Sequence, residues 1–164
     1  MPSDGIRIKV ELNAEAATES LANLLGFIES GELTKRVGDE VAEYSRDRIT
    51  SGKNTAPDGS LWVALSPSTL KAKAAKGYGG KGTLVQFNSL YDSIRADKEN
   101  ATKDSINVGS SLAYALIHQF GGKAGKGRRV TIPARPYIGL SAQEKATLEQ
   151  DVADWIRAKL AGGK

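Results

Sequence analysis

The residue with the widest chemical repertoire in this sequence is its single histidine, His118. An imidazole can act as a general base or a metal ligand, but metal sites usually combine several histidine, cysteine or carboxylate ligands. The chain has no cysteine, and no Gly-x-Ser-x-Gly elbow is present to hold a serine nucleophile. The residues around His118 are apolar: Ala113, Leu116, Ile117 and Phe120. We therefore expect His118 to pack or cap a short helix. We expect no catalytic residue, metal or cofactor in this chain. A hydrolase centred on His118 is the least favoured function.

Two glycine-rich segments carry lysines and invite comparison with phosphate-binding loops. In that motif the lysine is followed by serine or threonine, whose hydroxyl binds Mg²⁺. Here a glycine follows each of Lys81 and Lys126, and no apolar strand leads into either segment. We interpret 77–82 and 121–129 as flexible basic loops instead. Their basic side chains are Lys81, Lys123, Lys126, Arg128 and Arg129.

Basic residues are segregated along the chain, although the net charge is only +4. The windows 59–91 and 105–143 contain no acidic residue and together carry nine lysines and arginines, so the rest of the chain sums to −5. Such segregation indicates a surface for a negatively charged partner, protein or nucleic acid, unless the loops are merely solvated. There is no zinc-finger spacing, no basic helix and no stacking aromatics on a strand. Nucleic-acid binding would therefore be a non-specific contact with phosphates.

Two short segments are typical of shaped backbone beside a large side chain. Pro57-Asp58-Gly59 is a turn sequence, because proline presets φ, aspartate bonds its own backbone and glycine takes the left-handed position. Trp62 follows and is expected to pin the loop by burial, although a rigid loop is also suitable as a docking surface. Arg135 lies between Pro133 and Pro136, which hold it extended. We expect it to form a bidentate salt bridge, either within the chain or across a subunit boundary.

Length and periodicity predict a single domain, since 164 residues can bury one core. Alternating apolar residues over 6–12 predict a strand, and Asn13 is expected to cap the helix that follows it. That helix is expected to end at Gly31, and a second should run from about Glu32 to Ile49. The predicted face of the second helix comprises Leu33, Val37, Val41, Tyr44 and Arg48.

The remainder indicates short elements and one long helix. Ser66-Pro67 starts a helix that should end before Gly77, and a capping box of Ser141 and Glu144 opens the last helix. Between them we predict a helix over Leu84–Leu90, antiparallel strands over Ser93–Ala96 and Ser105–Gly109, a brief helix over Leu112–Phe120 and a strand over Val130–Ile132. The predicted fold is α+β: one domain over residues 1–164, with a small antiparallel sheet packed against several helices and a long C-terminal helix.

Three segments rich in glycine, proline and aromatic residues occur in order: Pro57–Pro67, Tyr114–Gly122 and Ile132–Ser141. The second contains His118-Gln119-Phe120-Gly121-Gly122, and the third contains Ile132-Pro133-Ala134-Arg135-Pro136. With the elements between them, from about Leu33 to Leu160, they resemble the phage virion morphogenesis family, the tail-completion proteins of Mu-like and P2-like phages. One departure is Val85-Gln86-Phe87-Asn88, where the family often has a Thr-Gly or Ser-Gly pair before a leucine.

The resemblance implies a structural virion protein that completes the tail end or joins tail to head at the neck, with no reaction and no cofactor. The implied partners are copies of itself in a ring, expected to be a hexamer, and neighbouring tail terminator, tail tube or head–tail connector proteins, with no membrane. The implied location is the virion, after assembly in the host cytoplasm. A non-specific nucleic-acid-binding module is the alternative. The candidate interaction residues are Pro57, Asp58, Gly59, Trp62, Lys81, His118, Gln119, Lys123, Lys126, Arg128, Arg129 and Arg135.

Overall fold

In the computed structural model, which describes residues 14–162, helices are interspersed with two short hairpins. The helices are α1 (Ala14–Glu29), α2 (Glu32–Thr50), α3 (Pro67–Ala75), α4 (Ser89–Ser93), α5 (Ala115–Phe120) and α6 (Ala142–Leu160). The antiparallel strand pairs are β1 (Arg95–Ala96) with β2 (Val108–Gly109), and β3 (Gly122–Ala124) with β4 (Val130–Ile132). The α+β class and the long C-terminal helix are confirmed, with two separate two-stranded sheets. The predicted strand over 6–12 and the Asn13 cap lie outside the described residues.

The helix ends follow local signals in the sequence. At the start of α6 the Ser141 hydroxyl accepts from the Glu144 N–H at 3.2 Å, while the Glu144 carboxylate accepts from the Ser141 N–H at 2.6 Å. This is the predicted capping box. The Ser66 hydroxyl caps α3 by accepting from the Thr69 N–H. Gly31 has a φ of 72° between α1 and α2, a left-handed conformation that glycine adopts at little cost.

Helix α2 is central, because it packs against α1, α4, α6 and the β1–β2 hairpin. Small residues form much of its buried face, notably Gly38, Ala42 and Ser45. A Cβ on Gly38 would lie 2.6 Å from the Ile106 side chain, so glycine permits the close approach of the segment before β2. The buried face of α2 is therefore displaced from the predicted face toward these small residues. The half-buried members of the predicted face are Leu33, Val37, Val41 and Tyr44.

The core joins α2 to loops as well as to helices. Trp62 and Tyr137 belong to it, although neither lies in a helix or strand, and both rings are buried. Large aromatic side chains bury much apolar area, so the two loops that carry them are held firmly to the helical body. The other members of this cluster are Ala42, Ile49, Ala56, Leu90, Ile94 and Ala115.

The predicted helix over Leu84–Leu90 is wrong. The segment consists mainly of turns and bends, and α4 begins only after Asn88. The Lys73 ammonium donates to the carbonyls of Gly82 and Val85 at 2.8 and 2.9 Å, which fixes a non-helical course. Asn88 itself has a φ of 61°, a left-handed conformation that asparagine tolerates better than most residues other than glycine.

The prediction of a loop over 121–129 is also corrected, because Gly122–Ala124 form strand β3. This strand pairs with β4 in the register Gly122↔Ile132, and a short 3-10 turn at Lys126–Arg128 lies between them. Gly125 has a φ of 76° and helps the chain to reverse. The other predicted short elements are confirmed: β4 has the predicted bounds, α5 is shorter because it begins at Ala115, and strands β1 and β2 have two residues each.

Candidate interaction surface

Arg135 is buried and joins three segments of the chain. Its Nε donates to the Val63 carbonyl at 2.9 Å, and its guanidinium also donates to the Ala64 carbonyl at 3.3 Å. Its backbone N–H donates to the His118 carbonyl at 2.7 Å. Burial lowers the pKa of Arg135. Hydrogen bonds to backbone carbonyls of the same chain thus take the place of the predicted salt bridge.

Trp62 and Gln119 fix the backbone that follows Arg135. Trp62 is 7% exposed, and its Nε1 donates to the Pro136 carbonyl at 2.9 Å. The Gln119 side-chain oxygen accepts from the N–H groups of Tyr137 and Ile138 at 2.9 and 3.0 Å. These contacts favour the interpretation of Trp62 as an anchor. The same contacts engage the side chain of Gln119 within the chain.

Arg48 is a residue whose role the sequence did not reveal. It is 7% exposed, and it donates to the carbonyls of Tyr137 and Gly139 at 2.8 and 3.1 Å. It also pairs with Glu144, the carboxylate that caps α6. Tyr137 is 1% exposed, and burial followed by the nearby Tyr114 raises the pKa of Tyr137 to about 12. The only signal in the sequence was an arginine at the end of the predicted face of α2.

The Pro57-Asp58-Gly59 turn has the predicted geometry. The Asp58 carboxylate accepts from the hydroxyl and the N–H of Ser60 at 2.6 and 2.9 Å, and these bonds lower the pKa of Asp58. Gly59 has a φ of 84°. The tip of the turn is exposed, while a Cβ on Gly139 would lie 2.9 Å from Pro57, so the base of the turn packs tightly. On the same loop Leu61 and Val63 are 77% and 57% exposed, whereas Trp62 between them is buried.

His118 is half-buried in α5 and packs edge-to-face on Tyr114, with ring centroids 5.8 Å apart. This is the packing role that the sequence predicted. Burial, followed by the charge of Arg135, lowers the pKa of His118. Its Nδ1 is buried with no hydrogen-bond partner among residues 14–162. The imidazole is therefore held in its neutral form near neutral pH.

The outward face of α5 is apolar and continues into a basic hairpin. Leu116 and Phe120 lie one turn apart on α5 and are 68% and 73% exposed. The hairpin of residues 122–132, called the basic arm below, follows directly and exposes Val130 at 53%. Within the described chain its main contacts are with α5. The basic arm carries four exposed basic side chains: Lys123, Lys126, Arg128 and Arg129.

Lys81 lies apart from the basic arm, on the segment that follows α3. Its ammonium donates to the Gln86 carbonyl at 3.1 Å and lies 5.5 Å from the centre of the Tyr78 ring. Lys73 nearby is half-buried, and burial followed by the charge of Lys81 lowers the pKa of Lys73. The flexibility proposed for 77–82 stays a prediction. Both of these contacts of Lys81 are with residues of its own segment.

A groove of about 650 Å³ lies between the C-terminal end of α2, the Pro57 turn and the start of α6. Asp47, Tyr44 and Thr147 are among its lining residues. Burial raises the pKa of Tyr44, and the charges of Glu40, Asp151 and Glu144 raise it further, which places these carboxylates in its surroundings. The charged side chains that line the groove are two carboxylates, Asp47 and Glu144, and two cations, Arg48 and Lys53, so the lining carries no net charge.

Over residues 14–162, no helix is both long and apolar enough to cross a membrane. The same part of the chain holds no group of three or more histidine, cysteine or carboxylate side chains placed to bind a metal ion. The candidate surface therefore consists of loops that hydrogen-bond to one another and of the exposed basic arm.

Comparison with known families gives a match over most of the chain. The model of the phage virion morphogenesis family matches residues 12–160. The chain belongs to this family. Virion morphogenesis is the assembly of phage particles, so the protein has a structural or assembly role in a bacteriophage and is associated with the virion. The family is one of assembly proteins and is not known for enzymes.

Two relatives come from Mu-like elements. The chain is 43% identical over 74 residues to the Mu-like prophage FluMu G protein 2 of Haemophilus influenzae, covering 45% of this chain and 51% of that protein. It is 36% identical over 107 residues to the putative capsid assembly protein G of Escherichia phage Mu, covering 64% of each. The chain thus spans between half and two thirds of the length of these relatives. No solved structure matches it.

The structure brings the three family-like segments together in one place. Arg135 of the last segment bonds to the first through Val63 and to the second through His118. Trp62 and Gln119 add bonds to the backbone of residues 136–138. The virion morphogenesis protein therefore uses these residues to position its exposed turn, α5 and basic arm.

Proposed function

We propose that this virion morphogenesis protein completes the end of the phage tail or joins the tail to the head at the neck, by assembling into a ring and binding neighbouring proteins. The observation that carries the proposal is the exposed surface formed by α5 and the basic arm. Leu116, Phe120 and Val130 are all more than half exposed there, beside four basic side chains. Apolar residues grouped on a surface mark sites of protein–protein contact.

The support beneath this surface is tied to the body of the protein by hydrogen bonds. Arg135 and Gln119 bond the end of α5 to the segment 135–138, in which Arg135 and Tyr137 are buried. The arm beyond it is a two-stranded hairpin, and such hairpins are marginally stable alone in water. Docking on a partner would order the arm at its working position.

The proposed partners are copies of the same chain and the proteins that flank a ring at the tail end. A tail with six-fold symmetry favours a hexamer. The flanking proteins would be a tail terminator, the tail tube or a head–tail connector. The phage Mu relative is described as a capsid assembly protein, so the head side of this junction is part of the proposal.

Deletion of the gene, followed by electron microscopy of lysates, tests this function. We expect separate heads and tails or malformed tail ends, and we expect the intact gene to restore joined particles. Fully joined, infectious particles without the protein would refute the proposal. Defective heads with normal free tails would move the role to capsid assembly.

A second candidate is non-specific binding to nucleic acid, favoured by the four basic residues of the arm with no acidic residue between them. Neutralising four phosphates releases counterions, so affinity should fall by about a hundredfold between 50 and 200 mM salt. Titration of a fluorescent duplex at several salt concentrations measures this slope. A variant with Lys126→Ala and Arg128→Ala should lower the slope if the arm binds DNA.

A further inference from the structure

Helix α1 presents an apolar stripe that nothing in the described chain covers. Only Phe27 of its 16 residues is buried, and the cations of Arg36 and Lys159 lie 5.4 and 5.3 Å from the centre of the Phe27 ring, on the buried side of the helix. Leu21 and Leu25 lie one turn apart on the outer side and are 56% and 60% exposed. Exposed leucines at this helical spacing indicate contact with a partner.

The outer side of α1 also carries unpaired negative charge. The helix contains three glutamates and no basic residue, and within residues 14–162 only Glu29 forms an ion pair, with Lys103. Glu15 and Glu19 are exposed and lie at a shallow depression of about 430 Å³. The residues that line this depression are Ala14, Glu15, Thr18, Glu19 and Ala22. Its lining therefore holds two carboxylates and no cation.

The surface formed by α5 and the basic arm has the matching properties. Leu116 and Phe120 lie one turn apart and are 68% and 73% exposed. Beside them the four basic side chains of the arm are exposed, and none of them forms an ion pair with a carboxylate of the described chain. The window 105–143 contains no acidic residue, so no carboxylate of α5 or of the arm offsets this charge. Each surface thus combines an apolar pair with charge, and the two charges are opposite in sign.

Charge decides which of these surfaces can pair between copies. Two α1 helices in contact would bring Glu15 and Glu19 of both copies together, and two arms in contact would bring their cations together. Like charges disfavour both of these contacts, whereas α1 against the arm joins opposite charges. Within the described part of one chain α1 packs mainly on α6 and α2, and the arm packs mainly on α5, so both outer surfaces are left for another copy.

We propose that α1 of one copy binds the surface of α5 and the basic arm on the next copy. The proposal rests on the ring assembly proposed above and assigns its two contact faces. Leu21 and Leu25 would pack against Leu116 and Phe120, while the glutamates of the depression face the cations of the arm. The two surfaces differ, so the contact is head-to-tail, and its repetition closes a ring when the rotation fits.

The absence of cysteine makes thiol cross-linking a clean test. Ala22→Cys places a thiol at the depression on α1, and Val130→Cys places one on the arm with its four charges intact. In the double variant we expect a short bismaleimide linker to give a ladder of dimers, trimers and larger species. Each single variant should give no species beyond a dimer. The matched control combines Ala22→Cys with Ala146→Cys, an exposed alanine of α6, and should give no ladder.

Charge reversal tests the electrostatic pairing directly. Glu15→Lys with Glu19→Lys should weaken self-association at least about tenfold, as should Lys126→Glu with Arg128→Glu. A mixture of the two variants should regain it, because each reversed surface then meets its opposite charge on the other variant. Sedimentation velocity measures the three samples, and association of the unchanged protein should weaken as salt rises. Regained association in the mixture distinguishes pairing from misfolding.

Three outcomes would overturn the proposal: a chain that stays monomeric at its highest concentration, a control ladder as strong as that of the double variant, or a mixture that stays dissociated. An arm variant that self-associates normally but loses salt-dependent DNA binding would assign the arm to DNA instead. The proposed function is tested separately by gene deletion. A ladder with no assembly defect would refute that function alone, and a defect with no ladder would refute the contact of α1 with the arm alone.

Discussion

Replacement of Arg48 by methionine is the sharpest test of how this fold is held together. The arginine is 7% exposed and bonds to the carbonyls of Tyr137 and Gly139 and to the carboxylate of Glu144. Methionine fills a similar volume but donates no hydrogen bond. The substitution therefore leaves two carbonyls and a partly buried carboxylate without their donor.

The expected cost is large because the lost partners are buried. Breaking a buried ion pair by removing one member typically costs about 3–5 kcal/mol, since the other charge is left uncompensated. For a chain of this size that corresponds to a fall in melting temperature of roughly 6–20 °C. Glu144 also caps α6, so its local disturbance should loosen the start of that helix.

Urea unfolding followed by tryptophan fluorescence measures this cost, because Trp62 lies in the core near Tyr137. The double variant Arg48→Met with Glu144→Gln should cost less than the sum of the two single changes, since the uncompensated charge is gone. The matched control is Arg157→Met, which removes an exposed pair with Asp154. Exposed pairs contribute about 0–1 kcal/mol, so this variant should be nearly neutral. A cost below about 1 kcal/mol for Arg48→Met would show that the buried network does not stabilise the fold.

Three other changes test separate parts of the structure. Trp62→Ala should cost about 3–5 kcal/mol in urea unfolding, because it empties a core position, and an unchanged midpoint would mean that the ring is exposed in solution. His118 has a folded pKa below its ordinary value of 6.5, so its contribution to stability is full above that pH and is lost as pH falls through the folded pKa. The unfolding free energy should therefore drop between pH 7 and pH 5, with a smaller drop in His118→Gln; equal drops would assign the acid sensitivity to other groups. Gly121→Ala should destabilise the root of the arm, because its Cβ would lie 2.8 Å from the Ala134 nitrogen at a φ of 74°, whereas Gly80→Ala has open space; equal melting temperatures of the two variants would contradict this.

The elements predicted from the sequence were those with strong local signals. The capping box at Ser141 and the Ser66-Pro67 start are satisfied by residues three positions apart, so they need no tertiary information. The same holds for the Pro57-Asp58-Gly59 turn, whose bonds are internal. The segment Leu84–Leu90, which was wrongly expected to be helical, lacked such a signal. Its course is set by Lys73, which donates to the carbonyls of Gly82 and Val85 from at least nine positions away.

The contacts that build the candidate site could not be predicted in this way. Arg48 meets the Tyr137 carbonyl 89 positions along the chain, and Arg135 meets the Val63 carbonyl 72 positions away. A buried arginine that donates to carbonyls has no characteristic sequence spacing, because its acceptors are backbone atoms that every residue carries. The charge windows did locate the basic arm, whereas the groove between α2, the Pro57 turn and α6 is assembled from distant parts of the chain.

This division between local and distant contacts bears on how the protein would work in a virion. The residues that fix the frame, Arg48, Trp62 and Arg135, are buried, so substitution there acts on stability first. The basic residues of the arm are exposed and make no ion pair in the described chain, so substitution there should leave the fold intact and change only what the arm binds. Assembly defects from arm variants that melt at the wild-type temperature would therefore report directly on contacts between proteins.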